Sequence, residues 1–266
     1  MTPGQLVKAI SVALDIPQET IAAHDRSLQL GGMRTTGGRG LSAAQVTSLD
    51  AARLMTATLA APRIKDSVST VQSYEHARRV PRFVSKRSQE TGQLTKQEQE
   101  RQDLENIFAD LSFIRLPDGH SFVEALESII TDAVYSLRTT GFEDLKKRFA
   151  VLSITCERPG TCATIDRFTR HLRFEYRFRR RLHKRDLEAM SEAVRGSKPK
   201  PDLADIMMSF GNGGVRQQST IYGAAIMLLA KAFHENGLDR FDSPEQAIRH
   251  WTRSDAKAGK PREKAA

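Results

Sequence analysis

The side chains best suited to chemistry in this chain are arginines. Between Arg167 and Arg185 stand nine basic residues and a single acidic one, Glu175. Guanidinium groups at this density suit phosphate, which they grip through paired hydrogen bonds. Phe168, Phe174, Tyr176 and Phe178 are interleaved with them, and exposed aromatics stack bases in single-strand binders. The alternation from Leu172 to Arg179 is strict, so the spacing turns the aromatics inward and leaves Arg173, Arg177 and Arg179 outward. Two uses remain for the charged face. One is contact with a nucleic-acid backbone; the other is a solvated strand whose charge discourages aggregation.

Other reactive residues form no comparable constellation. Cys156 and Cys162 flank a tight turn, which places them near each other across a hairpin. No Cys/His pair accompanies them, and zinc takes about four ligands, so two buried thiols are expected. The seven histidines are scattered. Asp118-Gly119-His120-Ser121 holds three triad residue types, but triad members meet in space from separate elements; Asp118-Gly119 reads as a turn and Ser121 as a helix cap. There is no Walker motif, nucleophile elbow or paired-carboxylate signal. The sequence thus predicts no catalytic residue, no metal, no cofactor and no enzyme.

A second concentration of signals lies between Leu6 and Leu59. Leu6, Val7, Ile10, Ala13 and Leu14 have the spacing of one buried helix face, with Thr2 as cap and Pro3 in the first turn. Asp15-Ile16-Pro17 interrupts it. A second helix follows, burying Ile21, Leu28 and Leu30 and turning His24, Arg26 and Ser27 outward. Next come Gly31-Gly32 and a basic glycine segment in which Gly37-Gly38 suits a primed hairpin turn between Arg34 and Arg39. Thr47, with Asp50 three residues on, opens a third helix.

Helix, turn, helix, glycine hairpin, helix is an order that resembles winged helix-turn-helix DNA-binding domains, most closely the MerR-type arrangement, over residues 1–61. The resemblance implies a bacterial, sequence-specific transcriptional regulator that binds double-stranded DNA as a homodimer. It makes the second helix the one that enters the major groove, with Gln18, Thr20, His24, Arg26 and Ser27 as its contacts. It puts Arg34 and Arg39 on a wing against the phosphates. It also implies a second region that dimerises, or that binds an effector or a protein partner.

The chain has 266 residues, a formal charge of +9 and a pI of about 9.8, a balance that favours an anionic partner. No secretory signal and no apolar run long enough to cross a membrane is present, so a cytoplasmic protein with reduced thiols is expected. Further helices are expected at about 65–78, with Val68, Val71 and Tyr74 inward, and from Ser121 through Leu137. Leu152-Ser153-Ile154-Thr155-Cys156, the Cys162 strand and the 172–179 run predict a small antiparallel sheet, packed on one face and solvated on the other. Ile206 to Phe210 is a possible fourth strand; Thr220 to His234 reads as a helix, and a short last helix holds Ile248 and Trp251.

The fold class expected is therefore α+β. A winged helix-turn-helix domain with trailing helices occupies 1–78, a polar linker 79–103, an α+β domain 104–252 and a basic disordered tail 253–266. The competing expectation is a structural or assembly protein that holds nucleic acid through the basic sheet face and tail, without sequence preference.

Overall fold

The computed structural model describes residues 1–37, 44–79, 108–117, 119–158, 161–168, 173–180 and 217–236. Four helices come first. Helix α1 (Pro3–Leu14) has a reciprocal cap, Thr2 accepting from the Gln5 amide and Gln5 reaching back to the Thr2 amide. It ends at Asp15 in the left-handed region (φ 53), where Ser11 Oγ donates to the Ile16 carbonyl at 2.7 Å. Helix α2 (Gln18–Leu30) starts from Pro17 and buries Ile21, His24 and Leu28. Helix α3 (Ser48–Ala60) opens on the expected Thr47/Asp50 box. A 3-10 turn (Ile64–Asp66) leads into α4 (Ser67–Glu75), which buries Val71 and Tyr74.

The chain then leaves helix earlier than its periodicity suggests, because Ala77–Arg79 is strand β1. Its register on β4 is Ala77 opposite Arg180 and Arg79 opposite Phe178. The sheet pairing satisfies backbone groups that a further helical turn would have used internally.

A 3-10 turn (Ser112–Arg115) precedes α5 (Phe122–Thr139), whose cap is the predicted Ser121 in a box with Glu124. Helix α6 (Phe142–Phe149) follows. Strands β2 (Leu152–Arg158), β3 (Cys162–Phe168) and β4 (Arg173–Arg180) appear where alternation places them. Among the described residues the next strand is β5 (Gln217–Tyr222), and α7 (Gly223–Asn236) continues from it. The expected helix from Thr220 is thus corrected: Gln217 to Tyr222 pairs with β2, Ile221 opposite Ile154 and Tyr222 opposite Ser153. The switch to helix falls at Gly223, where an added Cβ would overlap the Phe149 carbonyl oxygen. Only glycine lets the chain pass there. The proposed strand at 206–210, the helix around Trp251 and the tail lie outside the described residues.

The sheet runs β1-β4-β3-β2-β5, antiparallel at every pairing. The molecule is α+β as expected. The linker assigned to 79–103 falls, apart from Arg79, outside the described residues. On either side of it the elements share one hydrophobic core that runs from Met1 and Leu6 to Phe233. Helix α3 lies against α5, and α1 against α7.

The sheet departs from the expectation of one solvated face. In β2 and β3 the polar side is buried too: Ser153, Thr155, Thr164 and Asp166 are 0–6% exposed. Thr155 Oγ1 meets Thr220 Oγ1 at 2.9 Å, and Thr164 Oγ1 donates to Asp166 Oδ2 at 3.3 Å. Burial without loss of hydrogen bonds is tolerable for short hydroxyl side chains.

Candidate nucleic-acid interface

On β4 the alternation sorts side chains as expected. Tyr176 and Phe178 are 2% and 0% exposed, while Arg177 and Arg179 are exposed. Tyr176 meets Phe113 edge-on with centroids 5.1 Å apart, and Phe178 meets Phe122 at 5.6 Å. The His120 ring stacks on Tyr176 at 5.9 Å, with Nε2 3.4 Å from the Tyr176 hydroxyl. These two aromatic rings are core, not base platforms. Phe168, Phe174 and Arg173 contribute backbone to the sheet, Arg173 opposite Phe168; their side chains lie outside the described residues.

Register brings Arg179 opposite Cys162 and, on its other side, opposite Arg78 of β1. Arg78 is engaged with Glu124 at 3.3 Å. Burial, then the Glu157 carboxylate, push the Cys162 thiol above its ordinary pKa; Arg179, which donates to it, and Arg177 pull it down. Cys156 pairs in register with Ala163, and Cys162 with Glu157. The two cysteines are therefore on opposite faces of the sheet, although both are buried near one hairpin end. The six-residue offset suggests proximity but not a shared face.

Arg167, the first cation of the basic run, is consumed. Both ends of its guanidinium hold the Asp110 carboxylate, one of them at 2.9 Å. Sequence reasoning misses Asp110, because the partner comes from a segment 57 positions away.

On α2 the structure keeps some expected contacts outward and withdraws others. Gln18 and Arg26 are exposed, and Thr20 and Ser27 are half-buried. His24 is not outward: it is 6% exposed, with Nδ1 2.8 Å from Ser67 Oγ. The helical spacing explains this, since 21, 24 and 28 fall on one face with Ile21 and Leu28. Leu30, expected inside, is 84% exposed.

Arg34 is also withdrawn. Its side chain is 7% exposed, and Nη1 lies 3.3 Å from Asp25 Oδ2. Burial raises the Asp25 pKa, Arg34 opposes the rise and Asp50 adds to it. Arg34 therefore anchors the segment behind α2 and does not present itself to a phosphate. The segment is further tied by Thr35 N–H to Asp50 Oδ1 at 2.8 Å and by Arg53 to the Met33 carbonyl at 3.1 Å. Between α2 and α3 the described residues contain no strand. The expected hairpin tip, Gly38 and Arg39, lies outside them.

Segment 1–61 is nearly neutral, with five basic residues against four acidic. Among the described residues no group of three metal-ligating side chains gathers, and no helix is long and apolar enough to cross a membrane. No protein-family model, curated protein or solved structure matches the chain.

Proposed function

We propose that the protein binds nucleic acid by gripping the sugar-phosphate backbone with the arginines of β4. The observation that carries this reading is the exposure of Arg177 and Arg179 on a strand whose intervening Tyr176 and Phe178 are sealed in the core. Guanidinium groups on a rigid strand lose little freedom when they meet phosphate. The charge of +9 supplies long-range attraction to a polyanion. Contacts to phosphate position a protein without reading bases, so the binding is indifferent to sequence. The setting is the cytoplasm, and the role is structural or organisational. The test is the salt dependence of binding to a labelled random duplex. The pair Arg177→Glu with Arg179→Glu is expected to weaken binding and to lower the slope of log K against log salt by about 0.9 for each phosphate no longer neutralised. An unchanged slope sinks the reading.

A second reading, a transcriptional regulator acting as a homodimer, draws on α2. Gln18, Ala22, Arg26 and Gln29 are exposed along one line of that helix, just after the turn at Pro17. In the winged helix-turn-helix manner this line would read the major groove of duplex DNA. Selection from randomised duplexes separates the two. A recovered consensus that Arg26→Ala relaxes at one base pair favours the regulator; recovery of no consensus leaves the backbone binder.

A further inference from the structure

The stretch from Phe108 to Leu116 is held in place twice over. Its apolar residues Phe108, Leu111 and Phe113 are wholly buried, and both phenylalanine rings pack on Tyr176. Its polar residues are gripped from α5, α6 and β3. Asp132 of α5 accepts from the Ser112 amide at 2.5 Å and from Ser112 Oγ at 2.7 Å. Ser128, one turn earlier on α5, has its hydroxyl 2.8 Å from the same Ser112 oxygen. Arg148 of α6 donates to the Asp110 carbonyl and to Ser136 Oγ, while Arg167 of β3 holds the Asp110 carboxylate.

We propose that the Phe108–Arg115 stretch is a proton-linked clasp, opening locally from α5 and β4 according to whether Asp132 is ionised. The site has the parts for both states. An ionised Asp132 accepts from the Ser112 hydroxyl. A protonated one donates to that oxygen, and the Ser112 proton then turns to Ser128, which lies within reach. The grip on the Ser112 amide survives in either case. What changes is the cost of keeping a carboxylate that is 3% exposed.

Burial pushes the Asp132 pKa up to about 6; the two bonds from Ser112, then Arg148 and Arg115, pull against it. On the other flanks of α5, Glu127 meets Ser48 of α3 and Glu124 meets Arg78 of β1. With the clasp open, Asp132 returns toward its ordinary value of 3.8. The closed form therefore holds the proton more tightly. Closure is favoured as pH falls through about 6, and opening gains as pH rises from 3.8. Because Phe113 packs on Tyr176, whose strand neighbour is Arg177, opening would loosen the strand beneath the proposed phosphate contacts.

The test is native-state hydrogen exchange of the full chain between pH 4.5 and 7.5, corrected for intrinsic exchange, together with NMR titration of the Asp132 carboxyl carbon. The opening constant at Phe113 and Ile114 is expected to rise on the order of 10- to 100-fold across that range, and to lose the rise in Asp132→Asn. In Arg148→Gln, which removes an opposing charge, Asp132 should titrate at higher pH than in the wild type. Three results would each overturn the proposal: an identical pH profile in Asp132→Asn, titration of wild-type Asp132 near its ordinary value, or exchange at Phe113 that matches Leu54 of α3 at every pH.

Discussion

The imidazole of His24 lies with Nδ1 2.8 Å from the hydroxyl of Ser67, joining α2 to the first turn of α4. Ser67 is itself wholly buried and donates to the Ile64 carbonyl, so the three residues form a short polar chain inside an apolar contact. His24→Ala removes the ring and leaves Ser67 with its bond to the Ile64 carbonyl but without its imidazole partner. The expected loss is about 1–3 kcal/mol of unfolding free energy, measured by denaturant titration. Arg26→Ala, two residues on and exposed, should stay within about 0.5 kcal/mol. Equal losses in the two variants would contradict the burial of His24.

Arg34 and Asp25 predict a pH signature. Burial holds the Asp25 pKa above 3.8, and Arg34 restrains the rise. Removing the guanidinium in Arg34→Ala raises that pKa further and leaves a buried carboxylate uncompensated at neutral pH. Because the folded form then prefers the proton, the variant's deficit relative to wild type is greatest at pH 7. It shrinks as pH falls through the raised value. Thermal unfolding of both proteins at pH 7 and at pH 4.5 checks this; a deficit that grows on acidification refutes it.

At Gly223 the constraint is steric. The β5–α7 junction crosses the end of α6 so closely that a methyl group would overlap the Phe149 carbonyl. Gly223→Ala is expected to cost more than about 2 kcal/mol or to prevent folding, whereas Ala224→Gly, at an exposed neighbour, should cost about 1 kcal/mol. A fully stable Gly223→Ala protein would show that this junction can shift.

Within the basic run Arg167 is held in an ion pair with Asp110, whereas the proposed phosphate contacts are the exposed Arg177 and Arg179. Arg167 is spent on Asp110, so Arg167→Gln should lower stability and leave the salt slope of nucleic-acid binding unchanged. On the proposed function, the pair Arg177→Gln with Arg179→Gln should lower that slope. Parallel melting curves and salt titrations distinguish them, and a changed slope in Arg167→Gln would overturn the division.

Local signals carry much of the fold. Thr2, Thr47 and Ser121 each cap a helix through a side chain three residues from its partner, a spacing visible in the sequence itself. The β4 alternation sorts Tyr176 and Phe178 from Arg177 and Arg179 for the same reason. Helix α6 also carries a local signal: Glu143 and Asp144 stand in its first turn, Lys146 to Arg148 in its last, and Leu145 and Phe149 one turn apart. Long-range partners are what local pattern cannot supply. Arg34 looks like a surface cation until Asp25 is folded against it, and Ile221 reads as helical until β2 offers a strand to pair with. His24 is a different case, since its spacing from Ile21 and Leu28 already places it inside.

Helix α3 has water on almost none of its sides: Ala51, Ala52, Leu54, Met55 and Leu59 are all at or below 4% exposure, and α5 covers one flank. Cutting the gene after residue 78 would bare that flank, at a cost of about 1.5–3 kcal/mol for each large side chain returned to solvent. The N-terminal helices are therefore not a cassette that could be moved to another protein, or inherited by one, with their packing intact. Whatever α2 does, it does as an outgrowth of the whole core, and a deletion series will report on folding before it reports on binding.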